Sequence, residues 1–377
     1  MRVAIFCNDF WPTVGGVQTG VWGLSRALQR RGHPTLILTR QPPGIPAAGV
    51  VDGIEVRRFR WGLHPRWTLP ARAVRAGIQV LRLTRAWRPD VVFVHFVSVD
   101  ALYAWAAARG ARVPLILSFR GNDALRIAER SAVTRVVYRL IAQAADFSLF
   151  CSAWLRDQTT RARWFAGLRV STGVLEDAVE VGHREQAPSD LEPYVLAAGR
   201  LVVKKGFDLL LRAWATARAH IPATLWIAGD GPEEATLRSV AAREGVTGSV
   251  RFLGPVPHAR LLGLLERSAL CIVPSREEPY GIIVVEGQAL GVPVLACAVG
   301  NIPVLIEHGV TGYLAPPTAE GLARGLIDAW ADPFRAAVGV RGQAARGAAR
   351  TYDKMAGEVE EWASRVSQSH ARGRRWI

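Results

Sequence analysis

Two stretches of this 377-residue chain set charged side chains beside the predicted start of a helix. In GRLVVKKGFDLLLRAW (199–214) a strand ends, a turn follows and a helix begins, with Arg200 at the strand end and Lys205 just before the helix. A diphosphate lodged there meets a guanidinium fork, an ammonium and the unpaired N–H groups of the first helical turn. The chain has 44 Arg and 3 Lys, and two of those three are Lys204 and Lys205, so a compact point charge stands where Arg is otherwise the rule. The bland reading is a pair of solvated cations. In PSREEPYGIIVVEGQALGVPV (274–294) a strand ends at Pro274, a loop carries Glu278, and a helix beginning near Gly281 contains Glu286. Gly281, Ile282 and Ile283 would present free amides to an anion. Glu286 follows Glu278 by eight residues, about two turns down the same helix face, where it can accept from two adjacent hydroxyls. A carboxylate in so apolar a helix is costly unless it is bonded. Here the bland reading makes Glu278 a helix cap and Glu286 a structurally paired acid.

Several common chemistries are excluded by missing motifs. There is no G-x-G-x-x-G after a strand, no G-x-x-x-x-G-K-[ST], no H-E-x-x-H and no G-x-S-x-G. The eight histidines are dispersed without metal-ligand spacing, and no D-x-D pair exists to hold Mg²⁺ on a diphosphate. No metal or cofactor is therefore expected, and the chain's own cations and amides must neutralise any diphosphate it handles. Cys7, Cys151, Cys271 and Cys297 each sit among apolar neighbours, with no C-x-x-C pair, and read as buried reduced thiols of a cytosolic protein.

These residues must be positioned by α/β architecture. Short β-branched runs alternate with amphipathic stretches, the pattern of parallel sheets with helices on both faces. VAIFC, TLILT, VVFVHF, LILSF and FSLFC read as strands of a first half, with helices at 17–31, 70–87, 100–109 and 131–145. A Pro- and acid-containing stretch, 187–194, reads as a linker. The alternation then restarts with YVLAAG, ATLWIAG, SVRFLG, LCIVPS, VPVLA and GYLAP, separated by helices at 207–219, 232–244, 258–268, 282–291, 302–308 and 319–331. The expected organisation is two doubly wound domains, 1–186 and 195–344, facing across a cleft. A C-terminal segment, 345–377, holds an amphipathic helix with Tyr352, Met355, Val359 and Trp362 near one stripe, packed back on the first domain, then a basic tail. Residues 287–306 carry no charge, but Gly291, Pro293, Gly300 and Pro303 break them into short pieces, so they read as core and not as a membrane span. At the N-terminus Asp9 ends the apolar run, so no signal peptide is expected.

The ordered set G-R-x-x-x-x-K-G, G-D-G-P (229–232), E-P-Y-G-x-x-x-x-E-G-x-A-x-G-x-P-V and H-G-x-T-G-Y-L (308–314) resembles the family-4 retaining glycosyltransferases and covers essentially the whole C-terminal half. The first half resembles them more loosely, through VAIFC, the loop FWPTVGGVQ (10–18), the HF at 95–96 and SFRGND (118–123). The resemblance implies a GT-B fold of two Rossmann-like domains and transfer of a hexose-type sugar from a nucleotide-diphosphate donor with retention. It also implies roles: Gly16 against the donor phosphates, Arg200 and Lys205 on the diphosphate, Glu278 on the transferred sugar, Glu286 on the ribose, and the amides of Gly281 to Ile283 on the donor. Two departures stand out. Arg120-Gly121-Asn122-Asp123 occupies the place of the family's H-G-x-D, so Arg120 is expected to take over beside the donor sugar; Gly300-Asn301-Ile302-Pro303-Val304 stands where G-G-x-P-E is usual.

The net charge of +15 is uneven: residues 1–190 hold 26 Arg against 14 acids. Within them, 57–88 carries nine Arg, no acid, and Trp61, Trp67 and Trp87. Basic charge with interfacial aromatics suits an anionic membrane surface bearing a lipid-linked or glycan acceptor, which places the protein in the cytoplasm, peripheral on the membrane's inner face. No nucleic-acid module accompanies the charge. Two alternatives stay open at this stage: a sugar-nucleotide epimerase of similar build, which lacks the paired-glutamate signature, and a catalytically silent sugar-nucleotide scaffold, for which Arg120 in place of histidine speaks.

Overall fold

The structure, a computed structural model, describes residues 1–12, 15–60, 69–187, 192–346 and 351–371. The chain forms two compact units, Met1–Ala178 with Thr351–Ile377, and Val179–Arg350.

The first unit holds β1 (Val3–Phe6), β2 (Thr35–Arg40), β3 (Ala48–Val51), β4 (Ile54–Phe59), β5 (Val91–His95), β6 (Leu115–Phe119), β7 (Phe147–Phe150) and β8 (Thr172–Val174). They lie in the order β3-β4-β2-β1-β5-β6-β7-β8, all parallel except β3 against β4. The inner strands are continuous apolar runs because helices cover both faces: every residue of β1, β5, β6 and β7 is buried. β1 pairs with β2 on one side and β5 on the other, through Val3 opposite Thr35 and Val91. The strand order reverses there, and the carboxyl edge at such a reversal is where open α/β sheets take ligands.

The last helix, Tyr352–Ala371, belongs to this unit. Tyr352, Met355, Ala356, Val359, Ala363 and Val366 enter the same core as Leu24 and Leu28 of the helix Gly16–Arg30. Arg31 and His33 hold Glu360, and the Trp362 ring lies 4.5 Å from that of Phe147.

The second unit holds β9 (Tyr194–Ala198), β10 (Thr224–Ala228), β11 (Val250–Gly254), β12 (Leu270–Val273), β13 (Val294–Cys297) and β14 (Tyr313–Ala315), in the order β11-β10-β9-β12-β13-β14 and all parallel. Its reversal lies between β9 and β12, the strands that precede the two charged stretches.

Two expectations change. The division falls at Ala178 and not at 186, because Glu185 already bonds to the second unit: its amide donates to Ala259 O, and its carbonyl packs where Gly263 lacks a Cβ. Most of the expected linker, 188–191, lies outside the described residues. The segment expected as one helix from 345 is two: Arg335–Arg346 stays with the second unit and Tyr352–Ala371 crosses to the first. As their Gly and Pro residues lead one to expect, residues 287–306 split among the helix Ile282–Ala289, β13 and the helix Ile302–Leu305; among the described residues no helix is long and apolar enough to cross a membrane.

Candidate functional site

The second unit's switch point gathers most of the charged residues singled out by spacing. After β9, the amides of Gly199 and Leu201 donate to Ala228 O and Asp230 O, fixing the strand end on which Arg200 stands exposed. A short turn, Val203–Lys205, runs into Gly206 and the helix Phe207–Ala217. Gly206 has φ +68°, and a Cβ there would lie 2.0 Å from Pro274 O, so only glycine lets this turn approach the end of β12.

The loop after β12 is fastened to that turn. The Arg276 amide donates to Lys204 O at 2.8 Å, and its guanidinium donates to Val203 O and grips both oxygens of Asp208 at 2.6 and 2.7 Å. Lys205 Nζ then lies 2.5 Å from Glu278 Oε2, which also accepts from Ser275 Oγ at 3.1 Å; Glu278 is buried. From the other side the Asn301 amide donates to Glu278 O at 3.0 Å and Asn301 Nδ2 to Tyr280 O at 3.1 Å. A Cβ on Gly300, at φ +60°, would strike Glu278 O at 2.2 Å. Gly300 and Asn301, one of the two departures from the family pattern, thus clamp the Glu278 loop.

The helix that follows is Ile282–Ala289, capped by Gly281. Its first-turn amides at Gly281, Ile282 and Ile283 make no bond among the described residues, while those of Val284 and Val285 return to Gly281 O. Glu278 therefore precedes the helix instead of sharing a face with Glu286. Glu286 is buried, and its Oε1 is bonded by His258 Nε2 at 2.7 Å. That bond, outweighing burial, raises the His258 pKa above the usual imidazole value. The bond from Arg276 lowers the Asp208 carboxyl.

The remaining candidates stand in the first unit. Gly16 opens its helix, exposed, after the uncapped Gly15. Arg120, just past β6, turns inward: its side chain is 4% exposed, with Nη1 on Asp177 at 3.1 Å and on Leu175 O at 2.9 Å. Nη2 lies 3.4 Å from His95 Nδ1, and burial followed by the Arg120 charge holds His95 well below the usual imidazole range, so the ring is neutral. Asp123 is fully buried and accepts from the amides of Val97, Arg120, Gly121 and Ala124. Burial raises its pKa to about 6 against those four bonds. The Arg120–Asp123 turn is thus shaped by Asp123, while the Arg120 side chain serves Asp177 and Leu175.

Sequence reasoning passed over His258, Arg276, Asp208, Ser275, Asn301 as a clamp, and Asp123. Asp208, an acid in a first helical turn, Ser275, Arg276 and Asp123, inside motif stretches, and Asn301, at a departure from the family pattern, carried local signals; His258 carried none. The four cysteines are buried and in no disulfide among the described residues, and burial pushes the thiols of Cys7 and Cys297 up to about 12. Among the described residues no three His, Cys, Asp or Glu converge as a metal site.

Comparison with known proteins agrees with this build. Residues 180–345 match the family described as glycosyl transferases group 1, and residues 15–172 a glycosyl transferase 4-like domain. A glycogen synthase of Mycobacterium tuberculosis is 31% identical over 374 residues, covering 92% of this chain and 89% of that one. A D-inositol 3-phosphate glycosyltransferase of Mycobacterium avium is 29% identical, covering 84% and 79%. Among solved structures, Anabaena HepE in complex with UDP and glucose superposes with a TM-score of 0.78 at 20% identity, covering 97% of this chain and 99% of that one, so the two share a fold. The chain belongs to the group 1 (family-4) glycosyltransferases and has their GT-B fold of two parallel-sheet domains.

Proposed function

We propose that this glycosyltransferase moves a hexose-type sugar from a nucleotide-diphosphate donor to a glycan or lipid-linked acceptor, with retention and without a metal. The observation that carries the reading is the meeting of Lys205, Glu278 and the amide mouth of the helix Ile282–Ala289 at one switch point. An ammonium has three N–H donors; one serves Glu278, and two are left for phosphate oxygens. As the bond from the anomeric carbon to the diphosphate breaks, negative charge grows on the leaving group. Arg200, Lys205 and the amides of Gly281 to Ile283 strengthen their hold at that moment, which lowers the barrier. The acceptor oxygen bonds to the anomeric carbon on the same face, and its proton passes to the departing diphosphate. Glu278 takes hydroxyls of the transferred sugar. Glu286 takes the ribose, its Oε1 fixed by His258 and its Oε2 left for the nucleoside. The solved relative that holds UDP and glucose supports a uridine or related donor.

The test is release of nucleoside diphosphate across a panel of sugar nucleotides, with product anomeric configuration read by NMR and the rate repeated in EDTA. Inverted product, loss of rate in EDTA, or UDP and GDP bound far from Lys205 and Glu286 in a crystal would each refute its part of the proposal.

The basic stretch is proposed as a contact with an anionic membrane, from the cytoplasmic side. Trp61 and Trp67 lie outside the described residues. On the helix Leu69–Trp87 the apolar Val74 and Ile78 are exposed beside exposed Arg75, Arg82 and Arg85. Trp87 is less available, since the Arg2 guanidinium covers its ring at 4.5 Å. Flotation with anionic but not neutral liposomes is expected; equal flotation with both removes the electrostatic part.

A further inference from the structure

One buried charge in the first unit is unexplained by anything above. Arg58 is 7% exposed and stands on β4 in step with Ile54 and Val56, which enter the core packed on the helix Gly16–Arg30. It therefore shares that helix's face of the sheet, near the carboxyl end of a strand parallel to β2. This is the edge where open α/β sheets take their ligands. Its Nη2 donates to Trp11 O at 3.3 Å and Nη1 to Pro46 O at 3.4 Å, and Nε donates to nothing among the described residues. Both bonds are long against a usual value of about 2.9–3.0 Å.

Among the described residues no carboxylate pairs with Arg58, and the undescribed stretches 13–14, beside Trp11, and 61–68, which follows β4, contain no acid. Burial alone lowers its pKa, with no acid raising it. The contrast with its peers is direct: Arg120, whose side chain is also buried, has Asp177 at 3.1 Å, and Arg40 on the adjacent strand has Asp9 at 2.6 Å. Carbonyl oxygens bond a guanidinium but leave its charge uncompensated, and a buried uncompensated charge is expensive. Trp11, whose carbonyl Arg58 touches, lies in the loop from β1 to the helix Gly16–Arg30, a fifteen-residue helix whose cap, Gly15, makes no side-chain bond.

We propose that Arg58 is the counter-charge for an anionic ligand group, a phosphate or carboxylate, bound at the carboxyl edge of the first sheet beside the β1 loop. Given the transferase reading, that group has two sources, the donor's diphosphate or an acidic group on the acceptor.

Thermal melts of the full chain in sodium phosphate and in sodium chloride at equal ionic strength test this, on the wild type, Arg58→Met and Lys205→Ala. Phosphate is expected to raise the Tm of the wild type and of Lys205→Ala but not of Arg58→Met, whose Tm in chloride equals or exceeds the wild type's because the uncompensated charge is gone. A wild type without a phosphate shift overturns the proposal. So does an Arg58→Met protein that melts lower in chloride yet keeps the shift, which makes Arg58 only a staple between Trp11 and Pro46. A shift lost in Lys205→Ala alone also overturns it, while leaving the donor site standing. Should Arg58→Met not fold, Arg58→Lys keeps the charge without the planar fork: phosphate affinity at least tenfold weaker by calorimetry is expected, and unchanged affinity overturns the proposal. The sources separate by titrating UDP: affinity reduced tenfold by Arg58→Met assigns the donor, whereas unchanged UDP affinity with phosphate still binding the UDP-saturated wild type assigns the acceptor.

Discussion

The first unit carries 30 Lys and Arg against 15 Asp and Glu, whereas the second has 17 of each. The whole net charge of the chain thus resides in one unit, while the neutral one gathers three ion pairs at its switch point. At the second unit's switch point Lys205 faces Glu278, Arg276 faces Asp208 and His258 faces Glu286. Those pairs fix the side chains from within the unit. In the first unit Arg58 is buried with no acid beside it among the described residues. A neutral unit organises its own charges; a basic unit draws partners from outside.

The largest expected effect breaks the second unit's side of that contrast. Lys205→Ala should lower turnover by about 10²–10³-fold with an unchanged circular dichroism spectrum; a normal rate would show that the Lys205–Glu278 pair is structural only. Next, Glu286→Gln should weaken nucleoside-diphosphate binding by roughly 10–100-fold, the equivalent of one hydrogen bond to a charged group, read by calorimetry with UDP and GDP. Arg276→Met should cost about 1 kcal/mol in urea unfolding, since the pair it breaks with Asp208 is partly exposed. A larger loss would mean that the fastened loop carries more of the fold than its exposure suggests.

The smallest effect is a pH dependence. The folded-state pKa of His258 is raised by Glu286, so its contribution is fully present below about pH 6.5 and fades as pH rises through the folded value. The stability gap between wild type and His258→Asn should therefore be widest in mild acid and close at alkaline pH. A gap constant from pH 5 to 9 would show that packing, and not protonation, makes the pair.

In the second sheet β9, β10, β12 and β14 were legible as apolar runs closed by Gly or Pro, and β13 as a wholly buried run; β11, which carries the exposed Arg251, was legible from its alternation and its closing Gly254. In the first sheet the hairpin of β3 and β4 escaped notice although Asp52-Gly53 marks it, with φ of +48° and +79°. β8 is three residues long, too short for any periodicity. At the site, residue types were legible and partners were not. Lys205 meets Glu278 across 73 positions and Arg276 meets Asp208 across 68. Such pairs follow from strand order, which no local pattern states. The inward turn of Arg120 was hidden for the same reason, since Asp177 lies on a different segment.

The return of the helix Tyr352–Ala371 to the first sheet has a consequence for biogenesis. A ribosome makes every residue of the second unit before it makes Tyr352, Met355 and Val359, which seal the core begun with Val3. The later-encoded body can mature while the earlier one still waits with Leu24 and Leu28 uncovered. Deleting 351–377 would thus leave the amino-terminal half, not the carboxyl-terminal one, to aggregate.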